Sequence, residues 1–235
     1  MNKSFGALTV ADNIDLDLTA GEALGVIGPN GAGKSTLFNL IGGALTVSSG
    51  TVALDGKDIT SLSAARRCRL GIARSFQIPH PFVGMTVYEN LFVASCFGNS
   101  GHADAKAECR RILDATGLIA KADVAAGQLT LLERKRLELA RALASGPRLL
   151  LLDEIAGGLT EAECHALVDT IRGIRRDGVS IIWIEHVVHA LTAVVERLVV
   201  IDFGRIVASG DPAVVMRDPL VREIYMGIAV DDQAA

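Results

Sequence analysis

Eight consecutive residues, Gly28-Pro29-Asn30-Gly31-Ala32-Gly33-Lys34-Ser35, follow the spacing G-x-x-x-x-G-K-[ST]. Each residue type has a reason to be there. Glycines let backbone N–H groups wrap a phosphate chain, and the start of a helix adds the positive end of its dipole. Lys34 brings a point charge to the terminal phosphates, and Ser35 offers a hydroxyl to Mg²⁺. Downstream, Leu149-Leu150-Leu151-Leu152 runs into Asp153-Glu154. A four-residue apolar run buries a central strand, and the two carboxylates then stand at its C-terminal edge, where α/β sheets carry their sites. Asp153 suits a Mg²⁺ shell, and Glu154 suits orienting and polarising a water. Taken together, these residues imply binding of a nucleoside triphosphate.

The elements that must position these groups are legible from periodicity. Ala23–Ile27 reads as a buried strand ahead of the glycine-rich loop, and a helix follows from Lys34 to about Ile41. The alternation of Ile14-Asp15-Leu16-Asp17-Leu18 predicts a half-exposed strand. Further strands are expected at Thr51–Leu54, ending at the Asp55-Gly56 turn, at Gly71–Phe76, Leu149–Leu152 and Ser180–Glu185, and on both sides of Asp202-Phe203-Gly204-Arg205. From Ile78 to Gly146 the pattern turns helical, with helices near Val87–Ser95, Ala103–Thr116 and Leu131–Ser145; Pro147 ends the last. Helices are also expected over Glu161–Arg176 and Val187–Val194. The reading is α/β: a parallel core sheet with a helical insert between two core strands.

Composition narrows the field. The chain has 235 residues, 50% of them hydrophobic and 4% aromatic, with 24 glycines and a formal net charge of −4. That length buries a full core without disulfide or metal staples. The mean hydropathy of +0.37 suits aliphatic strands buried on both faces. The long low-charge stretch Ser35–Leu54 is interrupted by Asn39, Gly42, Gly43, Thr46, Ser48, Ser49 and Gly50, so it is not read as a membrane span. No signal core is visible at the N-terminus, which makes the cytoplasm the expected compartment. Cys68, Cys96, Cys109 and Cys164 form no CxxC pair and read as reduced thiols. Without Lys/Arg tracts, nucleic acid is not an expected partner. Arg66, Arg67 and Arg69 read as a solvated helix face, and the acidic pair Asp231-Asp232 as tail.

In this order the motifs resemble the nucleotide-binding subunit of an ABC transporter over nearly the whole chain: phosphate loop, Gln77 after a strand, helical insert, Leu129–Ala144 leading into Asp153-Glu154, and His186 after Ile181-Ile182-Trp183-Ile184. The resemblance implies a P-loop NTPase (RecA-like) core sheet with an N-terminal antiparallel β subdomain and an inserted helical subdomain. It implies core segments 1–77 and 147–216, a helical subdomain over 78–146, and a C-terminal helix and tail over 217–235. It assigns Glu154, His186 and Gln77 to catalysis and Ser35, Gln77 and Asp153 to Mg²⁺. The implied nucleotide-binding set is Phe5, Val10, Asn30, Gly31, Ala32, Gly33, Lys34, Ser35, Thr36 and Thr130, with Phe5 under the adenine ring. ATP and Mg²⁺ are the implied cofactors. Gly71-Ile72-Ala73-Arg74-Ser75-Phe76-Gln77, Thr86-Val87-Tyr88-Glu89-Asn90-Leu91 and Leu137-Glu138-Leu139-Ala140-Arg141-Ala142-Leu143 look like the branched-chain amino-acid importer group. So do Ile201-Asp202-Phe203-Gly204-Arg205, Asp218-Pro219 and Tyr225-Met226-Gly227. Permeases, a second ABC ATPase and, indirectly, a solute-binding protein are the implied partners, at the inner face of the cell membrane. An exporter ATPase for a lipid or polysaccharide, a soluble ABC-type protein acting on nucleic acid, and a regulatory module that hydrolyses nothing are the alternatives.

The chain departs from the family pattern at three places. The signature loop, usually Leu-Ser-Gly-Gly-Gln or Leu-Ser-Tyr-Gly-Gln, is Leu129-Thr130-Leu131-Leu132-Glu133. Leu132 replaces the glycine that lets backbone approach a phosphate across the dimer, and Glu133 brings a carboxylate toward a polyanion. Gly157-Gly158-Leu159-Thr160 stands where Ser-Ala-Leu-Asp is usual. The own-site groups are kept and those offered to a partner are altered, which leaves two readings: a heterodimer with one competent and one weakened site, or a tolerated variant of the Thr130-Leu131-Leu132 loop with the same backbone path. Finally, the family usually has a strand before the aromatic residue; either the start lies upstream or the first sheet begins at Ala7.

Overall fold

In the computed structural model the described residues are 1–99 and 104–226. β1 (Lys3–Phe5) and β2 (Leu8–Ala11) form an antiparallel hairpin, so the first strand starts before Ala7. β3 (Ala23–Ile27) leads through the glycine-rich loop into α1 (Lys34–Gly42). β4 (Ala53–Leu54) and β5 (Lys57–Asp58) pair across Asp55-Gly56, both left-handed at φ 49° and 74°, the geometry of a tight hairpin turn. α2 (Ala64–Arg69) and β6 (Ile72–Arg74) precede the helical insert of α3 (Val87–Phe97), α4 (Ala105–Ala115) and α5 (Leu131–Ala144). The sheet then resumes with β7 (Leu149–Asp153), α6 (Glu161–Arg176), β8 (Ser180–Ile184), α7 (Val188–Thr192), β9 (Arg197–Asp202) and β10 (Arg205–Gly210). Two short helices, α8 (Pro212–Val215) and α9 (Pro219–Met226), follow. The tail from Gly227 onward and the expected helix start at Ala103 lie outside the described residues.

The main sheet has the order β10-β9-β3-β8-β7-β6. It is parallel except for β10 against β9. Successive side chains point to opposite faces, and both faces are covered. Leu150, Leu152, Ile181 and Trp183 pack with α6 on one side. Leu149, Leu151, Ile182 and Ile184 pack with Leu37, Phe38 and Leu40 of α1 on the other. A separate core of Val87, Leu91, Ile112, Leu113, Leu129 and Leu137 holds the three insert helices together. Each insert helix opens on a polar side chain that accepts from its first-turn N–H groups: Thr86, Asp104 and Thr130.

Two expectations are corrected. Ile14–Leu18 alternates in burial as read, with Ile14 buried and Asp15 and Asp17 exposed, but it is extended chain rather than a strand. Among the described residues its bonds at Ile14 go to Met1: Ile14 N–H to the Met1 carbonyl (3.0 Å) and the Met1 amine to the Ile14 carbonyl (2.6 Å). Alternation reports one buried face; it does not supply a ladder partner. Arg67 is no solvated residue either. It is 1% exposed, and its guanidinium donates to the carbonyls of Leu40 (2.6 Å), Ile41 (2.8 Å), Thr60 (2.9 Å) and Leu62 (3.1 Å). Leu40 and Ile41 are in the last turn of α1, whose carbonyls have no helical partner and whose own sequence has no basic residue there. α2 therefore supplies the cationic cap of α1. Gly43, left-handed at φ 79°, leaves the room: a Cβ there would stand 2.9 Å from Arg67 Cδ. Arg66 and Arg69 are exposed, as expected.

Candidate functional site

The phosphate loop is shaped by contacts that only glycine permits. A Cβ on Gly28 would sit 2.1 Å from the carbonyl oxygen of Ile201, and one on Gly33, at φ 105°, 2.6 Å from that of Val10. The loop is also clamped by the β9–β10 turn, where Gly204 N–H donates to the Ala32 carbonyl (2.9 Å) and the Gly204 carbonyl accepts from Asp12 N–H (2.8 Å). α1 opens at Lys34 with Gly33 as its cap and no side chain bonded to its first amides, which leaves an anion-binding terminus. Asn30, Gly31 and Ser35 are exposed, Thr36 is half-buried and Ala32 is buried. Lys34 is buried; its ammonium donates to the carbonyls of Gly28 (2.7 Å) and Pro29 (2.9 Å). Burial pushes its pKa down, opposed by the charges of Glu154 and Asp153.

Glu154 is reached at the carboxyl end of β7 and turns left-handed, φ 49°, with its N–H donating to the Ile184 carbonyl (2.9 Å). A non-glycine residue held at positive φ at a strand end marks a place worth the strain. The turn points its carboxylate between two neighbours. Gln77 Nε2 donates to Oε2 (2.5 Å) and His186 Nε2 to Oε1 (2.9 Å). These three residues are far apart in the chain but follow β6, β7 and β8, adjacent in the sheet, so their carboxyl ends deliver them side by side. Asp153, buried, accepts on Oδ2 from Arg74 (2.6 Å), whose other nitrogen donates to Asn39 Oδ1 (2.6 Å) on α1. Arg74 thus ties the carboxylate to the helix that starts at Lys34.

Lys34, Ser35, Gln77, Asp153, Glu154 and His186 therefore share one sheet edge. Phe5 lies on β1, half-exposed, with the Lys3 ammonium 4.9 Å from its ring centre. Val10 reaches the loop through its carbonyl. Thr130 lies on the helical insert as the N-cap of α5, its hydroxyl accepting from Glu133 N–H. Glu133 is folded back: its carboxylate accepts from Thr130 N–H (2.9 Å) and pairs with Lys121, which holds its pKa below the usual range. Three residues of consequence carried no expected role: Arg74, Lys135 and Glu185. Glu185 had a signal, a carboxylate directly after an apolar strand and before His186; Lys135 had none, since its partners lie twenty residues on.

Residues 11–157 match the family model described as ABC transporter. The chain belongs to the ABC transporter family. Relatives of this ABC subunit include a probable ABC transporter ATP-binding protein of Azorhizobium caulinodans, 32% identical over 96% of this chain and 80% of that protein. The high-affinity branched-chain amino acid transport ATP-binding protein LivG of Escherichia coli is 32% identical over 96% and 94%. The lipopolysaccharide export system ATP-binding protein LptB of Acidithiobacillus ferridurans is 30% identical over 96% and 93%. Among solved structures, an ATP-binding cassette of an ABC transporter in its ADP conformation superposes with a TM-score of 0.88, at 32% identity over 97% of this chain and 96% of that one. The chain is an ABC transporter ATP-binding subunit with the α/β cassette fold. Among the described residues no helix is long and apolar enough to cross a membrane.

Proposed function

We propose that this ABC subunit binds MgATP and hydrolyses it to ADP and phosphate, energising import of branched-chain-type amino acids or similar small polar solutes through partner permeases. The observation that carries the hydrolytic reading is the meeting of Gln77, Glu154 and His186 beside the Lys34 loop. The loop amides from Asn30 to Thr36 and Lys34 bind and orient the phosphates. Phe5 and Val10 serve the base side. Glu154 accepts a proton from water, and His186 and Gln77 fix its carboxylate and the γ-phosphate geometry. Ser35, Gln77 and Asp153 offer hydroxyl, amide and carboxylate oxygens, the donor class Mg²⁺ takes, and Arg74 engages only Oδ2 of Asp153. Bound there, Mg²⁺ would neutralise charge on the β- and γ-phosphate oxygens.

The whole chain acts as one nucleotide-binding domain in this reading, with core segments 1–77 and 147–216 and the 78–146 insert as its helical subdomain. The insert also carries the exposed Ile78, Phe82, Val83 and Met85, a surface suited to a permease. A docked position on the inner face of the cell membrane is part of this reading, and the exposed apolar patch supports it. On the partner-facing side, Leu132 replaces a small residue, and the first turn of α5 is already occupied by the Glu133 carboxylate. A heterodimer in which this chain's own site turns over and its partner's is weakened follows from that asymmetry. LptB among the relatives keeps lipid or polysaccharide export as the second reading.

The test is purification of the chain from native membranes with its partners. A permease pair, a second ABC ATPase and a solute-binding protein are expected, with unequal hydrolysis at the two nucleotide sites. Equal rates at both sites would overturn the asymmetry, and a lipid-handling partner set without a binding protein would overturn import.

A further inference from the structure

Behind the site lie two buried charged side chains, Lys135 and Glu185, that the hydrolytic scheme does not use. Glu185, 1% exposed, directly precedes His186. Its carboxylate accepts from Ala156 N–H (2.6 Å), from His186 N–H (3.0 Å) and from Val187 N–H (3.4 Å). Lys135, 8% exposed, sits in the second turn of α5, five residues after Thr130. Its ammonium donates to the carbonyls of Ile155 (3.2 Å) and Gly157. The segment that leaves Glu154 is therefore gripped twice, at its carbonyls by a residue of the helical insert and at an amide by the residue next to His186. Gly157 sits close under the grip: a Cβ on it would stand 4.0 Å from Lys135 Nζ and 3.7 Å from the Glu154 carbonyl. Burial pushes the pKa of Glu185 up and that of Lys135 down, and each charge opposes the other's shift.

Two buried ions are a poor way to stabilise a fold, because apolar residues of the same volume do as well or better. What they add is directional: both ends are fixed by hydrogen bonds to one short loop. We propose that Lys135 and Glu185 are positioning residues that link the orientation of α5, whose first turn faces a partner subunit, to the placement of Glu154 and His186. Movement of α5 pulls on the carbonyls of Ile155 and Gly157. Ala156 passes that displacement to Glu185, and Glu185 to the backbone of His186. Neither residue touches nucleotide. The inference rests on the proposed hydrolysis.

The experiment uses the full chain assembled with its partners, with Lys135→Met, Lys135→Arg, Glu185→Gln and the Lys135→Met/Glu185→Gln pair, each checked for intact thermal unfolding above the assay temperature. Lys135→Met and Glu185→Gln should each lower kcat at least about tenfold while KM for ATP stays within about twofold, the mark of geometry lost at the reacting centre rather than in binding. Lys135→Arg should recover most of kcat, and the double substitution should cost no more than the worse single one, since both act through one loop. If Lys135→Met does not fold, the isosteric Glu185→Gln carries the same test. Folded variants with kcat within twofold of native, or losses that simply add, overturn the proposal. A native complex that hydrolyses no ATP would instead overturn the functional reading on which it rests.

Discussion

Glu154→Gln, in the assembled complex, should bind MgATP as tightly as the native chain and hydrolyse it about 10²–10³-fold more slowly. The substitution keeps the side-chain volume and leaves the left-handed turn at φ 49° untouched, so the phosphate loop keeps its shape. It removes the group able to take a proton from water. An amide can still accept from His186 at one atom, but its NH₂ then meets the Gln77 amide that donates to Oε2 in the native chain. Gln77 can rotate to compensate, since it bonds through an exposed side chain. Binding is read by equilibrium titration with ATP, turnover by phosphate release under saturating nucleotide. Hydrolysis within about threefold of native would show that another group accepts the proton.

Arg67→Met should lower the unfolding free energy by about 3–5 kcal/mol, because one buried guanidinium serves four backbone carbonyls. Two of those carbonyls end α1, so the helix that carries Lys34 and Ser35 loses its cationic terminus as well. For a chain of this length a loss of that size corresponds to a fall in Tm of roughly 10 °C. Arg67→Lys should recover only a fraction, since one ammonium cannot span acceptors that a planar guanidinium reaches from three nitrogens. Scanning calorimetry at fixed rate is the check. A Tm change below about 2 °C for Arg67→Met would mean that water replaces the guanidinium at all four carbonyls.

Arg67 also shows where sequence reading stops. The phosphate loop and Asp153-Glu154 are local patterns, each flanked by its strand, and could be read directly. Gln77 and His186 have no local signature; they came from resemblance, and only the order β8-β7-β6 explains why they meet Glu154. For Arg67 the neighbours in sequence suggested a charged surface, whereas its acceptors come from α1 and from the loop before α2, a juxtaposition that no local window contains. Glu133 lies between these cases. Read as a repulsive charge beside a phosphate, it is in the structure one half of a capping box, and Thr130-Leu131-Leu132-Glu133 did carry that T-x-x-E spacing in plain view. The strand expected over Ile14–Leu18 failed for the opposite reason: its alternation was real, but a strand is made by a neighbour.

Whether this chain's own site turns ATP over or merely holds it decides how the subunit works. The most direct measurement is phosphate release from ATP by the native complex, with and without Mg²⁺. The expected result is sustained release of one phosphate per ATP consumed, abolished by chelation of Mg²⁺ and slowed about 10²–10³-fold by Glu154→Gln in this chain alone. A complex that binds ATP at this site and releases no phosphate, or whose release is unchanged by Glu154→Gln here, would mean that this site holds ATP without turning it over.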